Sequence, residues 1–163
     1  AEATHPDARP PHRWHETVGR RRLEVVGYIA TGYGTASVAC IEQQGSTYRM
    51  FYNISGFFID GFKTSASGLE TLRNYTQALR ALFDDPITTV CNFGAIPDEA
   101  FVAEDDICNV SIIDFDYFGN LADAEKEAWL ARYGRFRFAS LYHSCSDEAS
   151  MLDAINRVIA NQS

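Results

Sequence analysis

The chain has 163 residues, enough for one ordinary domain, and its 46% apolar content excludes wholesale disorder. Fourteen Lys and Arg stand against 22 Asp and Glu, a net charge of −8, which argues against a nucleic-acid backbone binder because that class needs a cationic footprint. No run approaches the ~18 apolar residues of a membrane-spanning helix.

Residues 1–22 differ from the rest. They hold three of the five prolines, three of the four histidines (His5, His12, His15) and one large apolar pair, Trp14 and Val18. With five basic and three acidic residues they read as an extended or disordered arm, ending in the basic tract Arg20-Arg21-Arg22. From Leu23 the pattern is β-like. Leu23–Thr31 and Thr35–Glu42 flank Gly32-Tyr33-Gly34, a hairpin signal. Gln43-Gln44-Gly45-Ser46 reads as the next turn, Thr47–Ile54 as a third strand with alternating Tyr48, Met50 and Tyr52, and Phe57–Phe62 as a short aromatic strand. Ser67 and Glu70 have capping-box spacing, and Leu69, Leu72, Thr76, Leu79, Leu82 and Phe83 follow as one helical stripe, stopped by Asp84-Asp85-Pro86.

Ile87–Phe93 reads as a strand, Gly94–Asp106 as an acidic loop and Ile107–Tyr117 as a long strand. Asn120 is placed to cap a helix over Leu121–Tyr133. Arg135–Tyr142 alternates as a half-exposed strand, and Ser146 opens a last helix with the stripe Met151, Leu152, Ile155, Val158 and Ile159. The order β-β-β-(β)-α-β-β-α-β-α predicts a single α+β domain over residues 23–163: a mainly antiparallel sheet of about 6–7 strands with three helices.

The compartment is read from three features. The chain starts Ala1-Glu2-Ala3 without Met, as after signal-peptide cleavage at a small-residue site. Cys40, Cys91, Cys108 and Cys145 are even in number and lack close spacing, which favours two disulfides over a zinc site. Cys40–Cys91 with Cys108–Cys145, and Cys40–Cys145 with Cys91–Cys108, are equally open. Four asparagines, Asn53, Asn74, Asn109 and Asn161, sit in N-x-S/T glycosylation sequons. Together these predict a secreted, extracellular glycoprotein, periplasmic if the source is bacterial.

Catalytic motifs are sparse. There is no G-x-S-x-G, P-loop or G-x-G-x-x-G. His143 is the one histidine of the globular part, two residues from Cys145. Asp98, Glu99, Glu104, Asp105, Asp106, Asp114 and Asp116 crowd 19 residues where an acid/base pair can sit, although a solvated acidic loop is the simpler reading. Catalytic candidates are therefore His143, Asp114 and Asp116. Counted from Asp114, a calcium loop would use Asp116 and Glu125, but Phe118 falls at a ligand position. No cofactor is expected. The many tyrosines suit recognition by rigid rings, with Tyr48, Arg49, Tyr52, Arg135 and Arg137 as the candidate binding surface.

The expectation is a secreted, disulfide-stabilised interaction protein of effector, inhibitor or toxin-subunit type, with a role in virulence, recognising a protein or glycan outside the cell. The alternative is a secreted hydrolase or lyase with a carboxylate/His/Arg site, and a third option is a small-ligand carrier.

Overall fold

The computed structural model describes residues 24–104, 107–116 and 128–160. Five strands, β1 (Val26–Ala30), β2 (Gly56–Asp60), β3 (Thr88–Asn92), β4 (Val110–Asp116) and β5 (Phe138–His143), form one sheet. They lie side by side in chain order, and every pairing is parallel. Among the described residues four α-helices accompany them: α1 (Val38–Phe51), α2 (Leu69–Arg80), the short α3 (Ala100–Ala103) and α4 (Glu148–Ala160). This α/β arrangement overturns the expected mainly antiparallel sheet of 6–7 strands with three helices.

The structure departs from that pattern in the first third. Gly32-Tyr33-Gly34 is not a hairpin. It is the loop from β1 into α1, whose N-cap Ser37 accepts a hydrogen bond from the Cys40 amide at 3.2 Å. The two segments read as strands around Gln43–Ser46 are one helix. Its β-branched and aromatic residues mimic a strand, but Ile41, Gly45 and Tyr48 recur at helical spacing and face the sheet. Gly45 is a contact rather than a turn: a Cβ there would lie 2.6 Å from Leu79 Cδ2 and 2.8 Å from Leu82 Cδ1. Helices α1 and α2 therefore pack almost backbone to side chain, and tertiary packing overrides the local propensity.

The core fills the space between the sheet and these helices. Ile29, Phe57, Ile59 and Cys91 from the strands meet Ile41, Leu72, Tyr75 and Leu79 from α1 and α2. The α2 stripe is as the periodicity predicts. Its capping box is not: Gly68 occupies the N-cap without a side-chain bond, Ser67 Oγ pairs with Ser65 Oγ at 3.1 Å, and Glu70 pairs with Arg73. Arg73 also binds Glu104 at 2.7 Å, anchoring the end of α3. The acidic loop thus carries a helix whose Phe101 and Val102 are fully buried.

Near the C-terminus, residues 135–137 make a single 3-10 turn before β5 instead of alternating as a strand. The helix expected over Leu121–Tyr133, with Asn120 as its cap, falls largely on 117–127, outside the described residues, and Leu130–Arg132 is one 3-10 turn. At α4, Asp147 Oδ1 accepts from the Ser150 amide and hydroxyl, each at 2.8 Å. These bonds, the backbone one first, hold the Asp147 carboxyl below its ordinary range. Met151, Leu152 and Ile155 are exposed and Ala154 is buried, so this part of the expected stripe does not face the core.

A single disulfide, Cys91–Cys108, spans 17 residues with Cα atoms 5.9 Å apart, while Cys40 and Cys145 are free thiols. The two-disulfide expectation is corrected: Cys40 lies on the exposed side of α1, away from the buried pair. In the chain-entropy model a loop of this size contributes about 3 kcal/mol. Reduction is expected to lower the denaturation free energy by about that amount. Non-reducing peptide mapping is expected to recover Cys91–Cys108 with Cys40 and Cys145 alkylated; a Cys40-containing bridge would contradict this pairing.

Candidate functional site

Parallel strands in chain order point all their carboxyl ends one way, and the loops that follow them gather at that edge. Register decides which residues share a face there. Tyr28 pairs with Phe58 and Ala30 with Asp60; Phe58 pairs with Val90, placing Asp60 beside Asn92; Asn92 pairs with Ile112; Asp114 and Asp116 pair with Leu141 and His143. Backbone alternation therefore assigns Tyr28, Asp60, Asn92 and His143 to the face opposite the helical core.

Asp60 is the centre of the described part. Its Oδ2 accepts from the Tyr28 hydroxyl at 2.6 Å and its Oδ1 from Asn92 Nδ2 at 2.9 Å. Asn92 is itself oriented, because its Oδ1 accepts from the Gly94 amide at 3.0 Å. The hydrogen bond to Asp60 is the main cause that raises the Tyr28 phenol above its ordinary range, followed by desolvation and the carboxylate charge. Three strands thus supply one residue each to a single polar cluster, with Phe58 stacked on Tyr28 (centroids 6.3 Å apart, planes 15° apart).

The loops behind the cluster are tied down. Buried Thr31 donates its hydroxyl to the Gly61 carbonyl at 2.7 Å, and its amide bonds the Asp60 carbonyl at 3.2 Å. On the far side, Tyr133 Oη donates to Glu99 Oε1 at 2.9 Å and Arg132 Nη2 to Glu99 Oε2 at 2.6 Å.

The residues singled out in the sequence are scattered around this centre. His143 ends β5, with its Nδ1 2.8 Å from Ser144 Oγ, and Cys145 is a free, half-buried thiol. Asp114 and Asp116 lie on β4 by register, whereas Glu125 of the calcium reading is outside the described residues. Among the described residues no group of three or more His, Cys, Asp and Glu is placed to hold a metal ion. Tyr48 and Tyr52 stack on α1 with centroids 5.9 Å apart, and Arg49 lies 5.0 Å over the Phe83 ring. Arg137 is only 8% exposed and donates Nη2 to the carbonyls of Val102 and Cys108, both at 3.0 Å, so it braces the fold from inside. Arg135 precedes it on the backbone of the 3-10 turn. Asn53 and Asn74 are exposed; the Asn109 amide oxygen is engaged by the Thr89 amide at 2.7 Å, and Asn161 is outside the described residues.

Asp60 and Asn92 escaped the sequence reading. The available signal was a polar residue closing an apolar run just before a glycine, Asp60-Gly61 and Asn92-Phe93-Gly94, which marks a strand's carboxyl end in an α/β chain.

A model of the spherulation-specific family 4 (Spherulin4) matches residues 13–162. The chain belongs to that family. Spherulin-4 of Physarum polycephalum is 24% identical over 147 residues, which cover 85% of this chain and 42% of the relative. The chain therefore spans about two-fifths of the length of that curated family member. No solved structure matches. Among the described residues no helix is long and apolar enough to cross a membrane.

The Tyr28–Asp60 bond has a spectroscopic consequence. A phenol whose folded-state pKa is raised stabilises the fold below its unfolded value of about 10, and that contribution is lost as pH rises through the folded value. Tyr75 and Tyr133 are raised as well, by burial and by the hydrogen bond to Glu99, so absorbance at 295 nm is expected to show one late-titrating tyrosine fewer in Asp60→Ala than in the wild type. An identical alkaline titration in both would contradict the bond.

Proposed function

We propose that the chain is a carboxylate-dependent hydrolase or lyase whose substrate is a glycan, with Asp60 as the reacting carboxylate. The observation that carries this reading is the pair of hydrogen bonds to the two oxygens of Asp60, from Tyr28 in the middle of β1 and from Asn92 at the carboxyl end of β3. Two donors fix the orientation of both carboxylate oxygens, which suits a base or nucleophile. The partner acid of this proposal is drawn from the neighbouring strands, where β4 carries Asp114 and Asp116 in its sequence and β5 ends on His143. Two carboxyl groups flanking a scissile bond are the minimum for glycoside chemistry. The substrate class is supported by the Tyr28–Phe58 stack beside a carboxylate and an amide, because an aromatic face covers the apolar side of a sugar ring while the polar pair meets its hydroxyls.

Asp60→Asn keeps the size and one acceptor but removes the charge. It is expected to lower turnover of a cleavable oligosaccharide by about 10²–10⁴-fold while leaving the melting temperature near that of the wild type. Unchanged turnover would sink the reading. Surface recognition of a protein is the second reading, favoured by the consecutive exposed residues Met50, Phe51 and Tyr52 at the end of α1. The same experiment separates the two, since partner capture through that patch would survive Asp60→Asn and fail in a Met50→Ser/Phe51→Ser variant.

Secretion is part of the proposal, supported by the buried Cys91–Cys108 disulfide and by the exposed sequon residues Asn53 and Asn74. Fractionation of the native source is expected to recover most of the protein outside intact cells. Recovery in the cytosol with Cys91 and Cys108 reduced would contradict it.

A further inference from the structure

Among the described residues, positive φ follows β1 at Gly32, Tyr33 and Gly34, β2 at Gly61, β3 at Gly94 and β5 at Ser144. Glycine adopts this left-handed conformation freely, but a bulky side chain does so rarely. Tyr33 has φ 57° and lies between Gly32 at 58° and Gly34 at 77°, so a tyrosine occupies the middle of a turn that glycine would serve with less strain. Its ring is 73% exposed and adds nothing to the core.

The turn is closed by hydrogen bonds of its own and is tied to the carboxylate loop. Thr31 Oγ1 accepts from the Gly34 amide at 3.2 Å while donating to the Gly61 carbonyl at 2.7 Å. Thr35 Oγ1 donates to the Gly32 carbonyl at 2.6 Å, and the Ala36 amide closes onto the Thr31 carbonyl at 3.0 Å. Gly34 rests on Phe62, where an added Cβ would meet the ring at 3.1 Å. Tyr33 is therefore carried by a loop bonded to residues immediately following Asp60. A Cβ added at Gly61 would meet nothing within 4 Å, so there is open space beside that carboxylate.

We propose that Tyr33 is a substrate-stacking residue of the Asp60 site, its ring held out by the strained turn so that it covers a group bound at Gly61. Strain kept at a loop tip by surrounding bonds is the pattern found where a side chain is pre-organised for a ligand. The inference rests on the reading of Asp60 as the reacting carboxylate, and it adds a specificity residue that contributes binding rather than proton transfer.

The test compares wild type, Tyr33→Gly, Tyr33→Phe and Asp60→Asn against a panel of chito-, cello- and malto-oligosaccharides, by NMR titration for affinity and by initial rates for turnover. Tyr33→Gly is expected to melt at a higher temperature, because the turn loses its strain, and to bind about tenfold more weakly. Its turnover at saturation is expected to change less than about threefold, with Tyr33→Phe close to wild type in all respects. Wild-type affinity in Tyr33→Gly overturns the inference. Asp60→Asn is expected to lose turnover by about 10²–10⁴-fold with a smaller loss of affinity than Tyr33→Gly. Full turnover in that variant overturns the acid–base reading while the effect of Tyr33 on affinity is still measured. Failure of the wild type to bind any member of the panel overturns both.

Discussion

A parallel strand cannot be joined to its neighbour by a tight turn, because the chain must travel back to the same end of the sheet before it can pair again. Each return is a long crossover, and a helix is the cheapest way to span it with satisfied backbone bonds. With the strands taken in chain order and each crossover of the usual hand, successive helices fall on the same face. Most of this molecule follows from that constraint. One face of the sheet is packed against α1 and α2 around Phe57, Ile59 and Tyr75, while the other carries Tyr28, Phe58 and Asp60.

The same geometry makes the carboxyl edge the place where distant residues meet. Tyr28, Asp60 and Asn92 are 32 residues apart at each step along the chain, yet adjacent strands bring them within hydrogen-bond distance. Their loops are stiffened individually. Thr31 bridges the first two, Asn92 closes on Gly94 in the third, and the Cys91–Cys108 disulfide with Arg137 fixes the segment that leads into β4. Arg137 illustrates how a charged residue can be spent on the scaffold: its guanidinium satisfies two carbonyls that would otherwise be buried without donors.

Legibility varied with how far each feature depended on its own segment. The α2 stripe could be read because Leu72, Thr76 and Leu79 repeat at helical spacing on a helix with one buried side. Helix α1 could not, because its contact residue is Gly45. A missing side chain leaves no hydrophobic mark in the sequence but allows Leu79 and Leu82 to approach. The parallel sense of the sheet depended on that helix. Two strands in place of α1 would make an antiparallel meander, whereas a helix there forces the crossover that parallel pairing needs. The centre of the candidate site was not legible: Asp60 and Asn92, which form it, gave only a polar-then-glycine ending.

Composition, the positions of most strands, the amphipathic helix α2 and the availability of cysteines for a disulfide were determined by the sequence alone, since each depends on residue type or short-range period. Direction of pairing, the choice of Cys91 with Cys108, the burial of Arg137 and the meeting of Tyr28, Asp60 and Asn92 were decided by tertiary structure. Those features depend on which segments become neighbours across the sheet, and a linear pattern carries spacing along the chain but not adjacency between strands.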